Sequence, residues 1–146
     1  MDKYLRTDRI DLDEARALRH RIFHPSEDRD FCCNCDGDTS FAALHLGLFV
    51  DNVLIGTASC VPDVHIATGT AWRQREFGII PEFRGNRFAA PFYTAFRKEM
   101  EHRGMCPSWA TVKESLLGFY QMFGARDTGE TVMFPRAGLH HVVTFR

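Results

Sequence analysis

The 146-residue sequence has no apolar run approaching the roughly 18 residues that a membrane span requires, which excludes a helical membrane protein. Its first residues, MDKYLRTDRI, contain no apolar core of the kind a secretory leader carries, so a cytoplasmic location with reduced thiols is expected. Charge of one sign is also missing: 18 Lys and Arg stand against 19 Asp and Glu. No global pull toward nucleic acid or membrane follows from that balance. Repeats, low-complexity tracts and Pro/Gly/Ser linkers are lacking, which leaves one domain over residues 1–146. The five cysteines are an odd number, and a structural zinc site usually needs four N/S ligands with a second pair at a defined spacing. Cys32, Cys33 and Cys35 cluster near His20 and His24, but Cys60 and Cys106 do not supply a second ligand pair, so no metal is expected.

The sequence does contain a hydrophobic fraction of 45% and 13 Phe, enough to build one substantial core. Asp11-Leu12-Asp13-Glu14 places carboxylates where a helix N-terminus favours them, Ala15, Leu18 and Ile22 make its apolar stripe, and Pro25 ends it. Residues 24–41 are polar and poorly periodic, a long loop that suits a functional role. Two strands, Leu44 to Val50 and Val53 to Val61, flank Asp51-Asn52, a hairpin turn. A third strand covers 70–80. Phe88, Phe92, Phe96 and Met100 recur every four residues and mark a helix that stops at Gly104. A strand at Ser108–Val112, a helix over Glu114–Phe123 and two strands near 125–134 and 140–145 complete the order. The fold expected is an α/β layered domain: a mixed, mainly antiparallel sheet of about six to seven strands flanked by helices.

Two stretches carry chemistry. In Pro81-Glu82-Phe83-Arg84-Gly85-Asn86-Arg87-Phe88-Ala89-Ala90 a strand, a Gly-bearing turn and a helix start meet. A helix N-terminus offers unpaired N–H groups and partial positive charge, so a diphosphate fits there, as does a merely solvated basic turn. In Glu114 to Ala125, Tyr120 lies one helical turn before Gly124. A phenol can protonate a leaving thiolate, or it can simply pack with its hydroxyl at the rim.

Taken together these stretches resemble the GNAT superfamily of N-acetyltransferases. Ile79-x-Pro-Glu-Phe-Arg-Gly-x-x-x-Ala is similar to its acyl-CoA diphosphate loop, Phe119-Tyr120-x-x-Phe-Gly-Ala to its FYxxxGF segment, and Val53-Leu54-Ile55-Gly56 to its usual strand pair. The resemblance implies acetyl-CoA as co-substrate and an amine acceptor, small molecule or protein amino group. It implies backbone contacts from Phe77, Gly78 and Ile79 to the pantetheine arm. Gly85, Asn86, Arg87, Phe88, Ala89 and Ala90 would hold the diphosphate with Arg84. Arg87 departs from the pattern, since a glycine is usual there. Tyr120 would be the general acid. Ser108 replaces a Glu that some relatives carry, and Lys113 a common Asn, so Glu76 is the leading candidate base, followed by His140, His141 and His45. The acid-rich loop would favour a cationic acceptor or simply be solvated. A homodimer is plausible from exposed strand edges. A non-catalytic acyl-CoA-binding or sensor module on the same fold is the alternative function.

Overall fold

The computed structural model describes residues 3–28 and 33–146 of the chain; Arg29, Asp30 and Cys32 therefore lie outside the described residues. The elements are β1 (Leu5–Arg9), α1 (Leu12–Phe23), β2 (Leu44–Val50), β3 (Val53–His65), β4 (Thr70–Ile79), α2 (Ala89–His102), β5 (Ser108–Lys113), α3 (Leu117–Met122), β6 (Arg126–Phe134) and β7 (Gly138–Phe145). Short 3-10 turns, Pro81–Phe83 and Glu114–Leu116, precede α2 and α3. The strands form one seven-stranded sheet in the order β1-β2-β3-β4-β5-β7-β6. Every neighbouring pair is antiparallel except β4 and β5. Among the described residues no helix is long and apolar enough to cross a membrane.

The two faces of the sheet carry different helices. A Cβ added at Gly56 would meet Phe92 of α2, whereas one at Gly78 would meet Ile22 and Phe23 of α1. Gly78 pairs with Thr57, the neighbour of Gly56, and successive strand residues point to opposite faces. Thus α1 covers one face and α2 the other. Strand β2 is buried along nearly its whole length because both its faces are covered.

Local chemistry explains the element boundaries. Asp11 and Glu14 close a capping box at the start of α1, with N···O distances of 2.8 and 3.1 Å. The β2–β3 turn needs positive φ at both central residues, and Asp51 and Asn52 take 50° and 67°. Phe88, Phe92, Phe96 and Met100 are all buried, as the four-residue spacing predicts. Strand β1 was not expected from the sequence. Its LRTDR is short and charge-rich, a composition that suits a sheet edge and hides the period-two signal. The helix expected over Glu114–Phe123 is divided, its first turn being 3-10.

Candidate functional site

Strands β4 and β5 pair at two positions only, Trp72 with Ser108 and Arg73 with Trp109. Beyond Arg73 the β4–β5 strand register ends, and the sheet opens into a seam along residues 74–79. Buried side chains close its narrow end: the Tyr93 hydroxyl donates to Gln74 Oε1 at 2.5 Å, and Gln74 Nε2 donates to Ser108 Oγ at 2.9 Å. Ser108 is thus a fully buried strut facing α2.

One extra residue in β4 sets the geometry of the seam. Thr57 faces Gly78 but Ser59 faces Arg75, so β4 bulges, with Glu76 in the left-handed region at φ 55°. Arg75 and Glu76 both project to the α1 side. Phe77 returns to the α2 side, where it stacks on Phe92 (5.3 Å between centroids) and Phe119 (6.3 Å). At the strand end, Ile80 N–H donates to Ile55 O of β3 at 2.9 Å. Its neighbour Ile79 therefore turns its backbone groups toward the open seam, where its carbonyl accepts Arg84 Nε at 3.2 Å.

The PEFRGNRFAA segment connects this strand end to α2. Gly85 takes φ 82°, and Arg87 takes φ 61°. The backbone therefore keeps the left-handed turn that glycine usually supplies, and Arg87 bears its steric cost. Residues Arg84 to Arg87 are exposed, Phe88 is buried beneath them, and Asn86 Nδ2 donates to Phe83 O at 3.2 Å. Ala89 and Ala90 begin α2 and Pro91 sits in its first turn. The N–H groups of Ala89 and Ala90 have no intrahelical acceptor and point out of the helix end. Arg84 is partly committed to the strand rather than wholly directed at this helix end.

Tyr120 lies across the seam on α3, which ends in a Schellman-type turn: Gly124 at φ 92°, with Ala125 N–H bonded to Tyr120 O at 3.1 Å. Its ring meets Tyr93 (5.4 Å) and Phe119 (5.3 Å) edge-on. Burial among these rings pushes its phenol up to about 12. Among the described residues its hydroxyl has no hydrogen-bond partner. Tyr93, in the same cluster, is also raised by burial, but it is committed to Gln74.

The α1 face of the seam holds the remaining candidates. Glu76 accepts from the Cys35 thiol at 3.6 Å, and burial followed by the Glu76 charge raises that thiol to about 11. The segment after residue 33 is anchored by a buried ion pair the sequence did not reveal. Arg19 reaches Asp38 through both terminal nitrogens, at 2.6 and 3.0 Å, and also bonds Ser59 Oγ at 2.9 Å and Cys33 O at 3.1 Å. His45 is enclosed by the same group, between Ser59 Oγ and Asp38 O. That removes His45 from the candidate bases. Of the acidic residues in this loop, Asp38 is consumed internally, and Glu27 is bound by Arg136 from the β6–β7 turn. His140 and His141 lie on β7. The first contacts Gly138 O, and the second is flanked by Asp127 (3.1 Å) and Glu114 (3.4 Å). Cys60 is buried and its thiol is raised by burial, which leaves it inert as a nucleophile; Cys106 is exposed. A concavity of about 400 Å³ at the far end of α2, lined by Arg97, Lys98 and Glu101 among others, includes none of the seam residues.

Comparisons with known proteins agree with this architecture. No protein-family model matches the chain. It is 24% identical over 139 residues to an uncharacterized N-acetyltransferase, YitI, of Bacillus subtilis (strain 168), spanning 94% of this chain and 92% of that one. An acyl-CoA N-acyltransferase of Pseudomonas aeruginosa superposes with a TM-score of 0.73 at 13% identity, covering 99% of this chain and all of the other. Arabidopsis thaliana Naa50, solved with a bisubstrate analogue of coenzyme A, superposes with a TM-score of 0.66 at 15% identity over 97% and 98% of the two chains. The fold is that of the acyl-CoA N-acyltransferases.

Proposed function

We propose, from the premise that this chain is a GNAT-superfamily protein, that it transfers the acetyl group of acetyl-CoA to a primary amine by direct attack. The observation that carries this reading is the opening of β4 from β5 after Arg73. It leaves unpaired backbone at one end of the sheet, beside the free N-terminus of α2 and opposite Tyr120. The residues fit an acyl-CoA: the Phe77–Ile79 edge offers amide groups to a pantetheine arm, and the amides from Gly85 to Ala90 offer donors to a diphosphate. The N–H of Ile79 faces the seam and suits the carbonyl oxygen of a thioester, an oxyanion-hole role. Holding amine and thioester in one seam supplies much of the rate.

Tyr120 fits the leaving group, in a specific sense. At about 12 its phenol is fully protonated near neutral pH, so a donor is always present. Complete transfer to a free thiolate whose thiol titrates near ~8.5 would run uphill by roughly 5 kcal/mol, at ~1.36 kcal/mol per unit. The role that fits is a hydrogen bond that strengthens as charge grows on sulfur, with the proton crossing late. Glu76, which the bulge turns to the α1 side, would take the amine proton.

The test is coenzyme A release across a panel of amines. Tyr120→Phe is expected to lower kcat by roughly 100-fold, the scale of a lost acid–base group, while acetyl-CoA affinity holds. Equal turnover in both proteins would refute the role of Tyr120. Acetyl-CoA binding with no turnover on any amine would instead favour a non-catalytic acyl-CoA sensor, a reading that the buried Ser108 and the strained Arg87 motivate.

A further inference from the structure

The α1 face of the seam carries more positive charge than its own carboxylates neutralise. Arg73 is held by Asp63 Oδ2 at 3.2 Å, by Thr111 Oγ1 at 3.3 Å and by the Trp109 ring, 4.4 Å from its guanidinium carbon. Its Nε is nevertheless buried without a hydrogen-bond partner. Arg75 lies two residues further along the same strand face, roughly 7 Å away by strand geometry. Its half-buried side chain has no ion-pair or hydrogen-bond partner among the described residues. Burial and then the charge of Arg75 lower the Arg73 pKa, which places the two guanidinium groups within repulsive reach. Lys113 joins them from β5: Thr111 contacts Arg73, and Lys113 is on the same face two residues on.

Two like charges that share a single counter-ion, Asp63, are costly to hold together, and a bound anion beside Arg75 reduces that cost. Among the described residues the adjacent Glu76 forms no ion pair with Arg75, and its carboxylate accepts from the Cys35 thiol. The face thus presents a carboxylate next to an uncompensated guanidinium, an arrangement complementary to a molecule that bears both charges. The segment after α1 and the β6–β7 turn, joined by Glu27 and Arg136, border the same face.

We propose that the acceptor is a small amine that also carries an anionic group, a carboxylate or a phosphate, recognised by Arg75 with Arg73 behind it while Glu76 faces the amine. This rests on the acetyltransferase reading above and specifies its acceptor. The experiment compares matched pairs: amino acids against the amines lacking their carboxylate, and phosphoethanolamine against ethanolamine. For at least one pair the anionic member is expected to have a kcat/KM at least about ten-fold higher, the size of one charge-assisted hydrogen bond. Arg75→Gln should erase that preference mainly through KM, Arg75→Lys should keep part of it, and neutral amines should be unaffected by either. Carboxylate pairs and phosphate pairs separate the two anion sources. Equal rates within every pair, or an equal loss for both members in Arg75→Gln, would overturn the proposal. If no amine is turned over, the acetyltransferase reading fails. Calorimetric binding of the same pairs to the coenzyme A-loaded protein then decides: a preference for the anionic member that Arg75→Gln abolishes upholds the anion site, and its absence overturns it.

Discussion

Asp38→Asn isolates the buried ion pair under the 33–43 segment. The two side chains are 1% and 4% exposed, and the two oxygens of Asp38 each receive a guanidinium nitrogen of Arg19. The substitution keeps the shape, removes one charge and leaves the Arg19 cation buried opposite a neutral amide. Breaking one side of such a pair costs about 3–5 kcal/mol. At roughly 2–4 °C per kcal/mol for a domain of this size, the melting temperature should fall by about 6–20 °C. The charge pair also has a pH signature. Burial alone would raise the Asp38 pKa, but hydrogen bonding and attraction from Arg19 outweigh it and hold the carboxyl below its ordinary value. A folded pKa below the unfolded one adds stability above about pH 4, and that stability is lost as pH falls through the folded value. Calorimetric melts between pH 7 and pH 3 should therefore show wild type losing its advantage over Asp38→Asn as acid is added. Arg19→Met/Asp38→Leu, which removes both charges, should return to within about 2 kcal/mol of wild type. An Asn variant within about 1 kcal/mol of wild type at pH 7 would refute the claim that the pair is desolvated and essential to this segment.

Arg87→Gly should relieve the left-handed strain at φ 61°, raising stability by about 0.5–1 kcal/mol in denaturant melts after the glycine entropy penalty. The same variant should weaken acetyl-CoA binding by up to about five-fold through loss of one exposed charge; a tighter complex would mean that the side chain obstructs the site. Gly47→Ala should destabilise by roughly 1–3 kcal/mol in the same melts, because the new methyl lies 2.6 Å from both Ile10 Cγ2 and Leu54 Cδ1. An unchanged midpoint would show that this region repacks freely.

What the sequence disclosed depended on whether the cause was local. Asp51-Asn52 and the Phe88-Phe92-Phe96-Met100 spacing act over a few residues, so the hairpin and α2 were legible with their boundaries nearly correct. The loop before α2 was legible as a turn into a helix start, but the left-handed conformation of Arg87 was not, because an arginine gives no sign that it will adopt a glycine's backbone. Strand β1 exists because β2 offers it an edge, a tertiary cause that a charged pentapeptide does not encode. Arg19 left a trace, since it lies on the same side of α1 as Ala15, and an arginine on an apolar helix face asks for a buried partner. Asp38 could not be paired with it without the fold. Arg73 and Arg75 looked like ordinary alternating strand residues until the β4 register put them beside Asp63, Cys35 and Glu76.

The single extra residue at Glu76 works as a frameshift within β4. Before it, odd-numbered residues face α1; after it, even-numbered ones do, as Arg75 and Gly78 show. One continuous strand is therefore two surfaces in series, joined at a fixed phase error. Substitutions upstream of residue 76 can retune what approaches from the α1 side without disturbing the aromatic seat of Phe77. Removing one residue at the joint would exchange the two faces downstream, bringing Phe77 out of its cluster and Gly78 into it. The two faces of one strand can thus diversify separately, but only while the length of the joint is kept.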